Sequence, residues 1–491
     1  MLKAAAPPTQ PPAIALDWHA QPLDLLRRWP AHAPLACLTS GGTLGPRSRW
    51  SIFASPSLTI TIADDAEHAR DPLACFAQLP IDRSPTDLPF LGGWIGWLSF
   101  DLGRRLEPTA RARPSEPAAA AWHDWPLIEL FECPAAYLHD RKAGTWWAVG
   151  DVATLPEIDW TAAPPAPRAN LTTPTSHTGR ERFMIAVERA RELVRDGHVF
   201  QANIAHHLRA ELHAEPRHFA ARLLEAAGAW YGGYLESRDA TGAIRHAIAT
   251  ASPELFLEFD PRTRRVVTRP IKGTRSATDE RARRELKSSE KDLAELNMIV
   301  DLMRNDLGRV CAFGSVAVDD PRAIERHGER NSPQHSQGAS STSESSGDHL
   351  PDHNSAAMNP VPSVGNAGVF HGVATVSGVL RNGLSLADLL CATFPPGSVT
   401  GAPKVRAMQI IDTLEPLRRG PYCGAIGYIS RCARSGWNVA IRTAMLTPNR
   451  ARGPHAFDVS YPVGAGIVEG SEPLSEWNET LDKAGVLRGA S

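Results

Sequence analysis

The sequence predicts an α+β fold built on large antiparallel sheets. Strand-like runs outnumber helical ones, they often follow one another directly, and turn residues bound them. Strands joined without a long crossover pair antiparallel, because a parallel neighbour needs a connection of a dozen residues or more.

Taken in order, LACLTSG (35–41), RWSIFA (49–54), SLTITIA (57–63) and TWWAVGD (145–151) are rich in β-branched and aromatic residues and read as strands. GRERFMIAVERARELVRDG (179–197) sets Phe183, Val187, Ala190 and Val194 on one helical stripe. It ends at Gly197, a residue type suited to the left-handed position past a helix C-terminus. AIATASPELFLEF (247–259) and RRVVTRPI (264–271) return to strand character. SSEKDLAELNMIVDLMRNDLG (288–308) is a second helix, with Leu296, Ile299, Leu302 and Met303 as its apolar contacts. SEPLSEWNETLDKAGVL (471–487) is a third, and no internal repeat is visible.

Low-complexity stretches set the organisation. A Pro/Ala tail opens the chain, and PEIDWTAAPPAPRANLTTPTSHT (156–178) reads as a linker between an N-terminal region (1–155) and a second region (179–491). Residues 331–366 are Ser-rich, lack aromatics and read as an insertion too polar to order itself. His335, His349 and His353 within it are too irregularly spaced to suggest a metal site.

The 491 residues are 42% apolar and 22% charged, and 52 basic against 54 acidic residues leave a formal charge of -2. Without a long basic run, nucleic acid and anionic membrane are poor partners, and a small molecule is the default. Seven scattered cysteines with no CxxC pair, no apolar h-region and no membrane-length apolar run predict a cytoplasmic protein.

The chemistry begins with acids. Asp292 with Glu295, and Glu476 with Glu479, stand at i,i+3 on predicted helices, so each pair shares one face. A single such pair is usually a solvated surface; two pairs brought together would suit Mg²⁺. Glycines gather in GSVTGAPK (397–404) and PVGAGIV (462–468), where they serve tight turns or present backbone N–H groups to an anion. Arg442 sits in the apolar run VAIRTAML and calls for a carboxylate partner. Lys272, in RPIKGT (269–274), taken alone is an ordinary solvated loop lysine.

Together, RPIKGT, KDLAELNMIVDLMRNDLGRV, FPPGSVTGAPKVRAMQIID, CGAIGY, IRT, GAGIV and EWNETLDKA, in this order, resemble the chorismate-utilising enzymes. These include the anthranilate, aminodeoxychorismate, isochorismate and salicylate synthases. The likeness covers about residues 177–491, and SRWSIFASP with LGGWIGWLSFDLGRRLE extends it upstream to the large subunits of the first two. It implies two large antiparallel sheets packed as a sandwich, helices outside and the site between them. It further implies that Glu295 and Glu479 hold Mg²⁺, with Asp292 and Glu476 as second contributors. Tyr428, Arg442, Gly464, Gly466 and Lys483 match positions that hold substrate carboxylates, while Ser398, Thr400 and Gly401 line the substrate. Gln201, and Gly273 and Thr274 directly after Lys272, count among the substrate-binding residues; His371 matches a site histidine and Glu254 the general acid.

Two residues discriminate within the family. Sequences resembling anthranilate synthase carry PIAGT where this chain has PIKGT, which looks like the aminodeoxychorismate synthase version. A neutral lysine amine attacking C2 of chorismate expels the C4 hydroxyl; ammonia then attacks C4 and expels the lysine, so nitrogen ends at C4. Gln201 stands where the water-using relatives carry a lysine base, and a glutamine cannot deprotonate water. The resemblance therefore implies amination of chorismate at C4 with ammonia from a separate glutaminase subunit in a heterodimer, on the route to para-aminobenzoate and folate. The alternatives are an anthranilate-forming subunit and a non-catalytic ligand-binding homologue.

Overall fold

The computed structural model describes residues 13–45, 47–65, 71–79, 86–110, 125–161, 170–277, 279–328 and 368–490. The 331–366 insertion with its three histidines, the first residues of the tail and the middle of the linker lie outside the described residues.

Two antiparallel sheets organise the chain. The first holds twelve strands: eleven run from Ala13–Leu16 through Thr145–Gly150, Ala135–Asp140, Trp50–Ala54 and Ala36–Thr39 to Tyr231–Arg238, Ile244–Ser252, Thr443–Pro448, Ala456–Ile467, Gln201–His213 and the short Gly401–Ala402, and Thr175–Ser176 pairs with Gln201–His213 off that path. The second holds ten, in the order Ile271–Ser276, Val369–Val379, Arg265–Arg269, Leu255–Asp260, Ser435–Val439, Ala425–Ser430, Gly93–Leu98, Ile128–Cys133 and Leu58–Ile62. Ala317–His327 pairs with Val369–Val379 off that path. Strands from residues 13–155 thus enter both sheets, and the 156–178 stretch divides the chain without dividing the sheets.

The sheets face each other across an apolar layer. Phe131, Trp97 and Ile426 from the second sheet meet Ile52, Leu138, Leu235 and Ile248 from the first. Each such buried side chain contributes roughly 1.5–3 kcal/mol. On the other face of the first sheet, Phe219, Leu223 and Leu224 of the helix Pro216–Ala227 join Phe53, Trp146 and Tyr234 in a separate core. The expected helices form at Arg180–Arg195, Glu290–Gly308 and Pro473–Lys483. Among the described residues no helix is long and apolar enough to cross a membrane.

One expected strand is two. AIATASPELFLEF breaks at Pro253: Ile244–Ser252 belongs to the first sheet and Leu255–Asp260 to the second. Proline has no N–H for a ladder, so it suits the point where the chain leaves one sheet for the other. A second passage, from Ser435–Val439 to Thr443–Pro448, runs beside it.

Candidate active site

Those two passages carry chemistry. Glu254 sits at the first, and Arg442 at the second, in the left-handed region at φ 51°. They are stitched together: the Val439 N–H donates to the Glu254 carbonyl at 3.0 Å, the Ala251 N–H to the Arg442 carbonyl at 2.9 Å, and Ser252 Oγ to the Val439 carbonyl at 2.6 Å. A non-glycine residue held at positive φ is strained, and such strain persists where surrounding bonds over-determine it.

Lys272 spans the gap between the sheets. It lies on Ile271–Ser276, at the edge of the second sheet, and its Nζ donates to Gln201 Oε1 of the first at 3.3 Å. Glu295 Oε2 is 3.7 Å away, and the lysine side chain is 13% exposed. Burial pulls the amine below the usual lysine range; Glu295 opposes, while Lys483 pushes further down. The solvated loop lysine is ruled out.

Glycines make the room. A Cβ on Gly466 would lie 2.8 Å from Gln201 Nε2 and 3.0 Å from Lys272 Nζ, so a side chain there would fill the space the lysine occupies. Gly273, at φ 77°, stands where the pairing of Ile271–Ser276 with Val369–Val379 shifts register between Lys272 and Thr274. This bulge lets successive residues serve one site: Thr274 Oγ1 meets His371 Nδ1 at 3.0 Å, and the Gly273 backbone also bonds that histidine.

Glu254 is buried, and desolvation raises its carboxyl to about 7 against a hydroxyl contact from Ser398, the charge of Lys272 and a backbone bond from Ile271. Burial holds His371 well below the ordinary histidine range, with His327 and Arg442 adding to the effect. The histidine is therefore neutral at pH 7. Gln201 Nε2, Asn203 Nδ2 and His371 Nε2 are buried with no hydrogen-bond partner among the described residues. The Arg442 guanidinium makes no hydrogen bond or ion pair among the described residues, although desolvation disfavours its charge. A half-buried guanidinium without a partner, close enough to His371 to act on its charge, is the environment an anionic, hydrogen-bonding ligand satisfies.

The acid pairs come next to this cluster. Lys272 is coupled to Glu295 on one helix and Glu479 on the other, and Lys291 to both Glu476 and Glu479. Asp292 is held by Arg275 at 2.9 Å and Glu479 by Lys483 at 2.7 Å. Against partial desolvation of an otherwise exposed side chain, Lys483 and Lys272 hold the Glu479 carboxyl down; burial and then neighbouring Glu479 hold the Glu476 carboxyl up, against a bond from Ser471. Among the described residues no three acidic, His or Cys side chains form a ready-made cation cage. The donor set still fits a hard cation that keeps water and takes a ligand carboxylate, since it relieves the repulsion between Glu476 and Glu479.

The remaining residues divide. Lys483 Nζ donates to the Gly464 carbonyl at 2.7 Å. Thr400, with Oγ1 on the Pro396 carbonyl at 2.7 Å, accepts the Asn203 N–H at 2.9 Å through its own carbonyl. Gly401, at φ 133°, packs so closely on the Gln201 carbonyl that a Cβ would lie 2.2 Å from it. Tyr428 is not brought to the cluster: its ring packs edge-on against Phe90 at 5.9 Å, with Glu258 and Arg434 as its charged neighbours. Asn203 and His327 were not anticipated. Asn203 is two residues from Gln201 on a strand and so shares its face.

A pH dependence follows from Glu254. Its folded value, about 7, lies above the ordinary 4.5, so the protonated form is the one the fold favours. A reaction needing that proton loses rate as pH rises through about 7, and Glu254→Asn removes this basic limb from the residual pH–rate profile.

The sequence profile described as chorismate binding enzyme matches residues 35–330 and 355–489. The chain is 32% identical to anthranilate synthase component 1 1 of Haloarcula marismortui, over 91% of this chain and 85% of that one. It is 31% identical to aminodeoxychorismate synthase component 1 of Escherichia coli, over 96% and 97% respectively. In fold it resembles anthranilate synthase component I from Streptococcus pneumoniae, with TM-score 0.67 at 24% identity over 96% of this chain and 98% of that one. A TM-score of 0.65 at 18% identity, over 99% and 95%, relates it to the menaquinone-specific isochorismate synthase from Escherichia coli.

Proposed function

The chain belongs to the chorismate-binding enzyme family, and from that premise we propose that it aminates chorismate at C4, giving 4-amino-4-deoxychorismate. Relatives named for this reaction and for anthranilate formation match at nearly equal identity. The choice between them rests on one observation: Lys272 Nζ is largely enclosed in the cluster, between Gln201 and Glu295, with its charge disfavoured.

Arg442 and the amides around Gly464 and Gly466 receive the substrate's carboxylates, with neutral His371 against the ring. Lys272, as the free amine, forms a bond to C2 while the C4–O bond breaks, and Glu254 gives its proton so that the hydroxyl leaves as water. Ammonia then bonds to C4 and the lysine nitrogen leaves C2. Gln201 orients the amine and offers no base to activate water. Mg²⁺, held by Glu295 and Glu479 with Asp292 and Glu476 contributing through water, would neutralise substrate carboxylate charge. Ammonia is supplied by a separate glutaminase subunit.

Incubation with chorismate, Mg²⁺ and ammonium tests this. The expected product is 4-amino-4-deoxychorismate; anthranilate establishes the second reading, and no turnover with intact chorismate binding establishes a non-catalytic homologue. EDTA is expected to abolish turnover and excess Mg²⁺ to restore it. Glu479→Gln, at a side chain 55% exposed, is expected to fold and be nearly inactive. Full activity in that variant removes the metal assignment.

A further inference from the structure

His327 has no part in the reaction as read above, yet the fold sets it directly against the site histidine. Its ring stands edge-on to that of His371, with centroids 5.1 Å apart and planes at 78°. Trp230 stacks on it at 4.1 Å and 27°. Its Nε2 faces Glu325 Oε2 at 3.4 Å, and Glu325 is in turn paired with Arg269. Strand register builds the arrangement: Glu325 lies opposite His371 and His327 opposite Val369, so Glu325 and His327 share one strand face beside the histidine. His327 itself is 2% exposed.

We propose that His327 is a positioning residue for His371. The Thr274 hydroxyl holds His371 at Nδ1 and the Gly273 backbone bonds the ring as well, while Nε2 has no hydrogen-bond partner among the described residues. An imidazole held at one edge can still swing about χ2, a broad torsion. The His327 ring, itself fixed by Trp230 and Glu325, closes that freedom and keeps His371 Nε2 turned into the cluster. The cost of the arrangement is visible: His327 Nδ1 is buried without a hydrogen-bond partner among the described residues.

The inference uses the reading above only in giving His371 a place in the site. Removing an orienting neighbour typically costs activity about 10–100-fold. His327→Ala is therefore expected to lower kcat by about that factor while the KM for chorismate stays within about two-fold. His327→Phe, which keeps a flat ring on Trp230, recovers most of kcat. His327→Leu fills the volume without the ring and behaves as the alanine variant, which serves if His327→Ala fails to fold. With ¹⁵N-labelled histidine and no substrate, His371 is expected to show one fixed tautomer in the parent and the Phe variant and averaging in the Leu variant. A packing role alone would lower Tm and leave the kcat–KM split and the His371 signals as in the parent. That result, or a parent-like kcat in His327→Leu, overturns the proposal. If the product is anthranilate, the same split is read on anthranilate, so the two readings fail separately.

Discussion

Glu254→Gln is expected to lower turnover with ammonium by about 10²–10⁴-fold, the range in which a positioned general acid acts. The substitution keeps size and leaves an amide oxygen to accept from the same Ser398 hydroxyl and Ile271 N–H, so chorismate binding and folding should survive. Stability separates the roles. The folded carboxyl titrates near 7 rather than 4.5 because burial penalises its charge. Its favourable contribution is present below the ordinary value and is lost as pH rises through about 7. Full ionisation of this buried carboxyl thus costs the parent about 3 kcal/mol. The glutamine variant, having no charge to bury, should lose less stability than the parent between pH 5 and 8 in urea titrations. An active Glu254→Gln enzyme with a parent-like pH–rate profile would put the acid elsewhere.

The same residue shows what the sequence could and could not disclose. The apolar alternation of AIATASPELFLEF marks strand on both sides of Pro253, and strand it is. Periodicity has no term for which sheet a strand joins, so the passage between sheets, which buries Glu254, was invisible. Arg442 follows the same logic: its need for a carboxylate is readable in VAIRTAML, its left-handed backbone at the second passage is not. The acid pairs were legible because i,i+3 spacing on one helix is local. What relates them, the charges of Lys272 and Lys291 acting on carboxylates of helices far apart in sequence, is not local. Tyr428 matched a motif, but strand pairing with Ile95 and Gly436 turns it toward Phe90. His327 was missed because Asp319, Asp320 and Pro321 disguise the strand Ala317–His327 that carries it.

Lys272→Ala should lower formation of 4-amino-4-deoxychorismate by about 10²-fold or more, if the covalent route carries the step. Activity need not vanish, since Arg442, Glu254 and the metal ligands still bind and polarise the substrate. Two further consequences come from what surrounds the amine. Lys272 Nζ lies 3.3 Å from Gln201 Oε1, at the place where a Cβ on Gly466 would come within 3.0 Å. Truncation opens that space, through which ammonia reaches C2, and the residual product should shift toward anthranilate. Lys272 also holds the Glu254 carboxyl below where burial alone would leave it. Without that cation the carboxyl keeps its proton to higher pH, so the basic limb of the residual activity should move above about 7. Lys272→Arg should be inactive by both routes, because a guanidinium stays protonated and fills the space. In the parent, chorismate without ammonia should leave a lysine–substrate adduct detectable by mass spectrometry on the peptide carrying Lys272. Formation of the usual product by Lys272→Ala at the parent rate, with the basic limb unmoved, would leave Lys272 as an electrostatic neighbour of Glu295 and Glu254 and return the nucleophile to ammonia itself.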